Sequence, residues 1–287
     1  MELPALSVVT PSLNCGGYIE DAILSVAQQP GVRVEHIVQD ALSRDNTREV
    51  LRRYPQVRWQ WESDCGQSDA INRGFLRASG DLVGWLNADD YYLPGGLQAI
   101  AQAAAEHPEA DVFYGDCVFV DGRGNITRSK VEHAFDRDIL FYFGCYIPST
   151  ATFFRRRVIE SGHLLDCDFR VCMDFEYFVR LAAKSFRFHY VPRFVAAFRW
   201  HADNISLQHV ERRAYERLEV QRRYGSRLRS PLQMELLRQG VRAKRIVRKI
   251  ASGNAWRELR IRRQMGEPTL WMLNPEVEEK CASLACS

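Results

Sequence analysis

The sequence predicts an α/β fold, a mostly parallel sheet flanked by helices, and three observations point there. Short β-rich runs alternate with amphipathic helical segments through the first 116 residues, joined by short connections, as in doubly wound sheets. Several of those runs stop at acidic or amide side chains, and in open α/β sheets ligands bind beyond the carboxyl ends of the strands. A chain of 287 residues with 46% hydrophobic content is also long enough to bury a full core.

The elements follow in order. Leu6-Ser7-Val8-Val9-Thr10 is a β-rich run ended by Pro11, and the loop 12–17 leads into a helix over 18–27 with Ile19, Ile23, Val26 and Ala27 on one face. Residues 34–38 form a second strand ending at Gln39-Asp40, and Ser43-Arg44-Asp45-Asn46 offers caps to a helix over 47–54. A third strand is expected at 57–61, then a helix over 67–78 with Ala70, Ile71, Gly74, Phe75 and Ala78 inward. The apolar run Leu82 to Leu86 is the fourth strand, and a helix over 94–106 leads to a strand over 110–116 that ends in Asp116. Asp121-Gly122-Arg123-Gly124 reads as a hairpin turn. The aromatic-rich stretch 135–165 carries no assignable motif. A helix over 170–183 and a strand over 188–198 follow, and from about 207 helices are expected with breaks at Gly225, Ser230-Pro231, Gly240 and Ser252-Gly253.

The net charge of +3 is unevenly spread, because residues 211–264 hold 17 Lys+Arg against 5 Asp+Glu. An acidic body is therefore followed by a basic arm. On helices with Ile246, Val247 and Ile250 between the cations, such an arm suits an anionic membrane surface; a solvated helical face packed on the body explains it equally well. Trp256, Trp271 and Met272 would anchor at an interface or fill a core. No nucleic acid is expected, since neither a recognition motif nor aromatic interleaving accompanies the charge. No apolar stretch approaches the roughly 18 residues of a membrane span. The start Met1-Glu2-Leu3-Pro4 lacks a signal-peptide pattern, so the expected location is cytoplasmic, with peripheral membrane contact as an extension. Eight cysteines without a Cys-x-x-Cys pair suit reduced thiols.

The sharpest motif is Gly84-Trp85-Leu86-Asn87-Ala88-Asp89-Asp90. Adjacent carboxylates at a strand end repel unless a cation, proton or ligand compensates them. Oxygen ligands of this kind suit Mg²⁺ or Mn²⁺ bridging to phosphates, the bland alternative being a polar turn.

Taken with Val8-Val9-Thr10-Pro11-Ser12-Leu13-Asn14, Asp40 and Glu62-Ser63-Asp64-Cys65-Gly66-Gln67-Ser68-Asp69-Ala70-Ile71-Asn72-Arg73-Gly74-Phe75, this motif resembles the family 2 glycosyltransferases over roughly residues 5–206. The resemblance implies a GT-A fold and sugar transfer, with inversion, from a UDP-, dTDP- or GDP-sugar to a hydroxyl of a glycan or lipid-linked saccharide. It implies a catalytic domain at 1–206, with a nucleotide-sugar half at 1–116 and an acceptor half at 117–206, followed by a basic helical extension at 207–287. Thr10, Pro11 and Leu13 would pack on the nucleobase and Asp40 would accept from a base N–H, helix capping being its plainer role. Ala41-Leu42 stands where the family usually has Gly-Gly. Asp64, Gln67, Asn87 and Ala88 would line the donor pocket, Asn87 replacing a common Asp. Asp89, with His201, would hold Mn²⁺ or Mg²⁺, and Asp90, Asp116 and Arg199 would support the site or touch the acceptor. In Arg170-Val171-Cys172-Met173-Asp174-Phe175-Glu176 the expected general base is Asp174, with Met173 where Glu is common. Asp174 and Glu176 are two apart on a helix, so only one of them can face the site. Asn87, Ala41-Leu42 and Met173 also suit an alternative, a catalytically inactive nucleotide-sugar-binding protein.

Overall fold

The computed structural model describes residues 2–201, 209–225 and 231–265. The first half alternates as expected: β1 (Leu6–Ser12), α1 (Ile19–Ala27), β2 (Val34–Asp40), α2 (Thr47–Arg52), β3 (Arg58–Trp61), α3 (Gln67–Arg77) and β4 (Leu82–Trp85). Strand β1 lies between β2 and β4 with parallel register on both sides, Leu6 opposite Val34 and Leu82. All seven of its residues are buried, which a central strand covered on both faces requires. Helix α3 presses on it at Gly74, where a Cβ would collide with the Val9 side chain.

The second half contains β5 (Tyr91–Tyr92), α4 (Gly96–Glu106), β6 (Val112–Val120), β7 (Ile126–Lys130), a π-helical turn (Ile139–Phe143), a 3₁₀ turn (Ser149–Ala151), β8 (Thr152–Arg155), α5 (Arg156–Glu160), α6 (Met173–Ala183) and β9 (Phe188–Arg199). The strands form one sheet in the order β3-β2-β1-β4-β8-β6-β9-β5, with β7 paired to β6. The block β3-β2-β1-β4 is parallel, β9 runs parallel to β6, and β8 enters antiparallel to both neighbours. This is the α/β architecture read from the sequence. Aromatic side chains pack beneath its centre, with Trp85 stacked on Phe154 at 5.8 Å between ring centroids.

Three details differ from the sequence reading. Strand β6 does not end at Asp116 but continues to Val120, with register shifts on either side of Asp116 that mark a bulge. The segment 135–165 holds β8 and three short helical pieces; its apolar run Ile139-Leu140-Phe141-Tyr142-Phe143 has no period that separates helix from strand. Gly240 does not break its helix, because neighbouring residues carry the turn through it at a cost of about 1 kcal/mol relative to Ala.

The basic arm forms α7 (Val210–Tyr224), α8 (Pro231–Ala251) and α9 (Asn254–Met265). Much of its charge is spent on the acidic body. Lys244 pairs with Asp136 and Asp138, Arg245 with Glu132, Arg248 with Asp136 and Arg257 with Asp116. Within the arm, Glu258 is buried between Lys249 and Arg262. Packing on the body, one of the readings left open, thus accounts for these cations. Trp256 is exposed, while Trp271, Met272 and the segment 202–208 that would join body and arm lie outside the described residues. Among the described residues, Cys15, Cys65, Cys117, Cys145, Cys167 and Cys172 are free thiols, and no helix is long and apolar enough to cross a membrane.

Candidate active site

Strand β4 delivers the acidic motif to the sheet edge. The Leu86 N–H donates to the Val9 carbonyl, and a tight turn closes with the Asp90 N–H on the Asn87 carbonyl at 3.1 Å. The Ala88 side chain packs with Ile19, Ile23 and Val38 and so belongs to the core. The Asp89 side chain is partly buried, at 20% exposure. Asn87 accepts from Gln67 Nε2 at 2.8 Å and donates through Nδ2 to Asp90 at 3.0 Å, so the head of α3 is tied to the strand end. A carboxylate at position 87 could not make that donation.

Asp90 is buried at 1% exposure, and its other oxygen accepts the Arg199 backbone N–H at 2.8 Å. Burial first, and the neighbouring Asp89 charge second, hold its carboxyl well above the usual range. Asp90 is therefore a supporting group for the turn. From the end of β9, the Arg199 guanidinium donates to the carbonyls of Asp89 and Gly122 and pairs with Asp21. It lies 4.9 Å and 5.4 Å from the ring centres of Tyr18 and Tyr91. His201 stacks on Tyr18 at 5.1 Å and brings Nε2 to 2.9 Å from Asp89 Oδ2.

This donor set fits a divalent cation. One carboxylate oxygen and one imidazole nitrogen suit Mn²⁺, and Mg²⁺ needs few protein ligands when phosphates and water complete its shell. Among the described residues no group of three or more His, Cys, Asp or Glu side chains could hold a metal alone. Asp89 and His201 are thus the residues that would hold the ion, jointly with a bound diphosphate.

On the other side of β1, two loops are sewn together. The Asn14 N–H donates to Ser43 Oγ, and the Arg44 N–H to Asn14 Oδ1. Asp40 is fully buried. One of its oxygens accepts the Ser43 N–H and the other accepts the hydroxyls of Ser43 and Ser12. This is a turn-capping arrangement, and it holds Leu42 at φ 60°. Leu42 thus adopts the left-handed conformation that Gly would supply, at a cost of about 1–2 kcal/mol. Thr10 and Pro11 are buried, with Thr10 Oγ1 2.8 Å from Nε2 of His36, while Leu13 alone of that trio is exposed. Asp64 caps the start of α3 through the Gly66 N–H. Burial, with the charges of Asp69 and Asp40 adding to it, raises its carboxyl.

Asp174 and Glu176 separate cleanly. Glu176 is buried in an ion pair with Arg180, 2.8 Å away, and accepts the Tyr224 hydroxyl. Asp174, in the first turn of α6, receives the Cys145 thiol at 3.7 Å, and burial raises its carboxyl above the usual range. Asp116 stands apart from the strand-end cluster. It binds the Glu132 N–H, the Tyr190 hydroxyl and Arg257 of α9, and burial pushes its carboxyl up to about 6. Sequence reasoning missed Tyr18, Asp21 and Cys145. An aromatic residue directly after Gly16-Gly17 was the available signal for Tyr18; nothing in the pattern marked the other two.

The model for glycosyl transferase family 2 matches residues 7–163. The chain is 28% identical over 186 residues to a PGL/p-HBAD biosynthesis glycosyltransferase of Mycobacterium bovis, covering 63% of this chain and 70% of that one. It is 33% identical over 117 residues to a putative teichuronic acid biosynthesis glycosyltransferase, TuaG, of Bacillus subtilis, covering 39% and 46% of the two chains. Among solved structures it is similar to S. aureus TarS 1–349 in complex with UDP, with a TM-score of 0.59, 18% identity and coverage of 82% and 69%. It is also similar to the mannosyltransferase PcManGT of Pyrobaculum calidifontis in complex with GDP-Man and Mn²⁺, with a TM-score of 0.60, 16% identity and coverage of 99% and 81%. At these identities the structural likeness speaks for the fold, a GT-A fold.

Proposed function

The chain belongs to glycosyl transferase family 2 and is a glycosyltransferase, and from that premise we propose that it transfers sugar from a UDP-, dTDP- or GDP-sugar, with inversion, to a hydroxyl of a glycan or lipid-linked saccharide. The observation that carries the reading is the Asp89–His201 pair at the end of β4, 2.9 Å apart and backed by Arg199. Mn²⁺ or Mg²⁺ bound there would offset the negative charge that develops on the departing diphosphate.

The rest of the chemistry falls to the chain. Asp40, which has about four lone-pair sites against three internal donors, is the group proposed to accept a base N–H once the Ser43 turn that buries it yields to the base. Gln67 and Asn87 stand at the head of α3 and the end of β4, where a ribose hydroxyl would meet them. Asp174 is the general base. The acceptor oxygen bonds the anomeric carbon as the bond from that carbon to the diphosphate oxygen breaks. The hydroxyl proton passes to Asp174 and the electron pair leaves with the diphosphate. A carboxyl raised by burial is a stronger base than a solvated one, which favours this role.

An anionic membrane surface, met from the cytoplasmic side, is the partner proposed for the arm. Leu232, Leu236, Val247 and Ile250 recur at helical spacing on α8 and are all exposed. Calorimetric titration of UDP, dTDP and GDP with and without Mn²⁺ tests the central reading. One nucleotide should bind in a Mn²⁺-dependent manner, and Asp89→Ala should abolish that dependence. Equal binding with and without the ion, or an unaffected Asp89→Ala, refutes it.

A further inference from the structure

We infer that Glu216, on helix α7 of the basic arm, is a positioning residue for the transfer reaction, fixing the start of the helix that carries Asp174. The inference rests on Asp174 as general base and goes beyond it, because it makes the arm part of the catalytic apparatus.

Helix α6 begins at Met173 with Cys172 as its N-cap, so the Cys172 amide is one that the helix leaves without a carbonyl, and the amides of Arg170 and Val171 lie in the approach to it. One carboxylate takes all three. The N–H of Arg170 donates to Glu216 Oε1 at 3.0 Å, and those of Val171 and Cys172 donate to Oε2 at 2.9 and 2.8 Å. Glu216 is buried at 2% exposure, and Arg212 donates to its Oε1 from one turn earlier. Burial alone would raise its carboxyl, but these hydrogen bonds outweigh it and hold the group ionised, below the usual range.

The same helix reaches the Asp174 surroundings at two further points. Tyr224 donates to Glu176, one turn along α6, at 2.6 Å. Arg217 donates to the Phe143 carbonyl at 2.7 Å, two residues before the Cys145 whose thiol meets Asp174. Gly144 has φ 131°, and its open side lies against the Arg217 guanidinium, so a side chain there would displace the clamp. Helix α7 therefore holds both the backbone that aims Asp174 and the backbone that carries its thiol donor. A displacement of α6 by a fraction of an ångström would misplace the base while leaving the β4 end untouched, so the effect belongs in turnover and not in donor affinity.

Full-length Glu216→Gln and Glu216→Asp decide it. The assays are kcat, KM and the pH profile of kcat, nucleotide affinity by calorimetry, and amide hydrogen exchange across 168–183. In Glu216→Gln, kcat should fall by about tenfold or more with nucleotide affinity within about threefold of wild type, the acid limb of kcat should move, and amides 170–172 should exchange faster. Glu216→Asp, which keeps the charge, should restore part of both kcat and protection. Unchanged kcat, unchanged protection, or equal loss of nucleotide affinity and kcat overturns the inference. Hydrogen exchange needs no turnover. A wild type that binds nucleotide but transfers nothing would defeat the role given to Asp174, while exchange would still decide whether Glu216 holds the helix.

Discussion

Replacing Arg199 by Met keeps the buried stem and removes the guanidinium. The donation to the Asp89 carbonyl, 2.8 Å long and partly buried, is a hydrogen bond to a charged group worth about 1.5–3 kcal/mol. The Gly122 carbonyl lies on an exposed residue and re-solvates, so its loss costs about 0.5–1 kcal/mol. The pair with Asp21 is discounted to at most about 1 kcal/mol, because the Asp21 side chain is 56% exposed. Loss of the cation above Tyr18 and Tyr91 adds about 1 kcal/mol. Arg199→Met should therefore destabilise the protein by about 4 kcal/mol in urea unfolding followed by circular dichroism. Arg199→Lys, keeping the charge without the fork, should fall between the two. Mn²⁺-dependent nucleotide binding should weaken in parallel, because Tyr18 then holds His201 with one fewer neighbour. A loss under about 1 kcal/mol would show that Arg199 does not tie these segments together, and the reasoning would fail.

Asp174→Asn should lower kcat by about 10²–10⁴-fold with nucleotide affinity unchanged, read by steady-state kinetics and calorimetry. In the wild type, Asp174 works only when ionised, and its carboxyl is raised. The acid limb of kcat should therefore lie above the ordinary carboxylate range, with the rate rising as pH rises through it and falling about tenfold per unit below it. Glu258→Gln removes the carboxylate that Lys249 and Arg262 share in a buried site, and should cost about 3–5 kcal/mol in chemical denaturation. Trp85→Ala empties the space against Phe154 and Phe178 and should cost about 3–5 kcal/mol by the same measurement.

The parallel half of the sheet was legible because each strand is a compact apolar run and each helix presents one face. The end of β4 was legible because its polar cluster follows directly in sequence. What escaped was long-range. Arg199 could be placed near the site, but not its grip on the carbonyls of Asp89 and Gly122, since a backbone acceptor leaves no mark on residue identity. Asp116 read as a strand end because the β6 bulge allows a carboxylate inside a strand, where Arg257 compensates it. The arm's charges left two readings open because their partners carry no pattern that pairs them with the arm: Asp136 lies in the stretch whose apolar residues have no period, and Glu132 just before it.

The Asp21–Arg199 pair joins positions 178 apart. Loop closure over that distance comes late in folding, since the entropy of bringing such ends together is spent before any contact rewards it. During synthesis Asp89 leaves the ribosome well before β9, with neither Arg199 nor His201 yet behind it. The nascent chain should therefore bind nucleotide-sugar only in the last third of translation. A truncation between residues 188 and 199 cuts into β9 and removes Arg199 and His201, so such a fragment should show no Mn²⁺-dependent nucleotide binding.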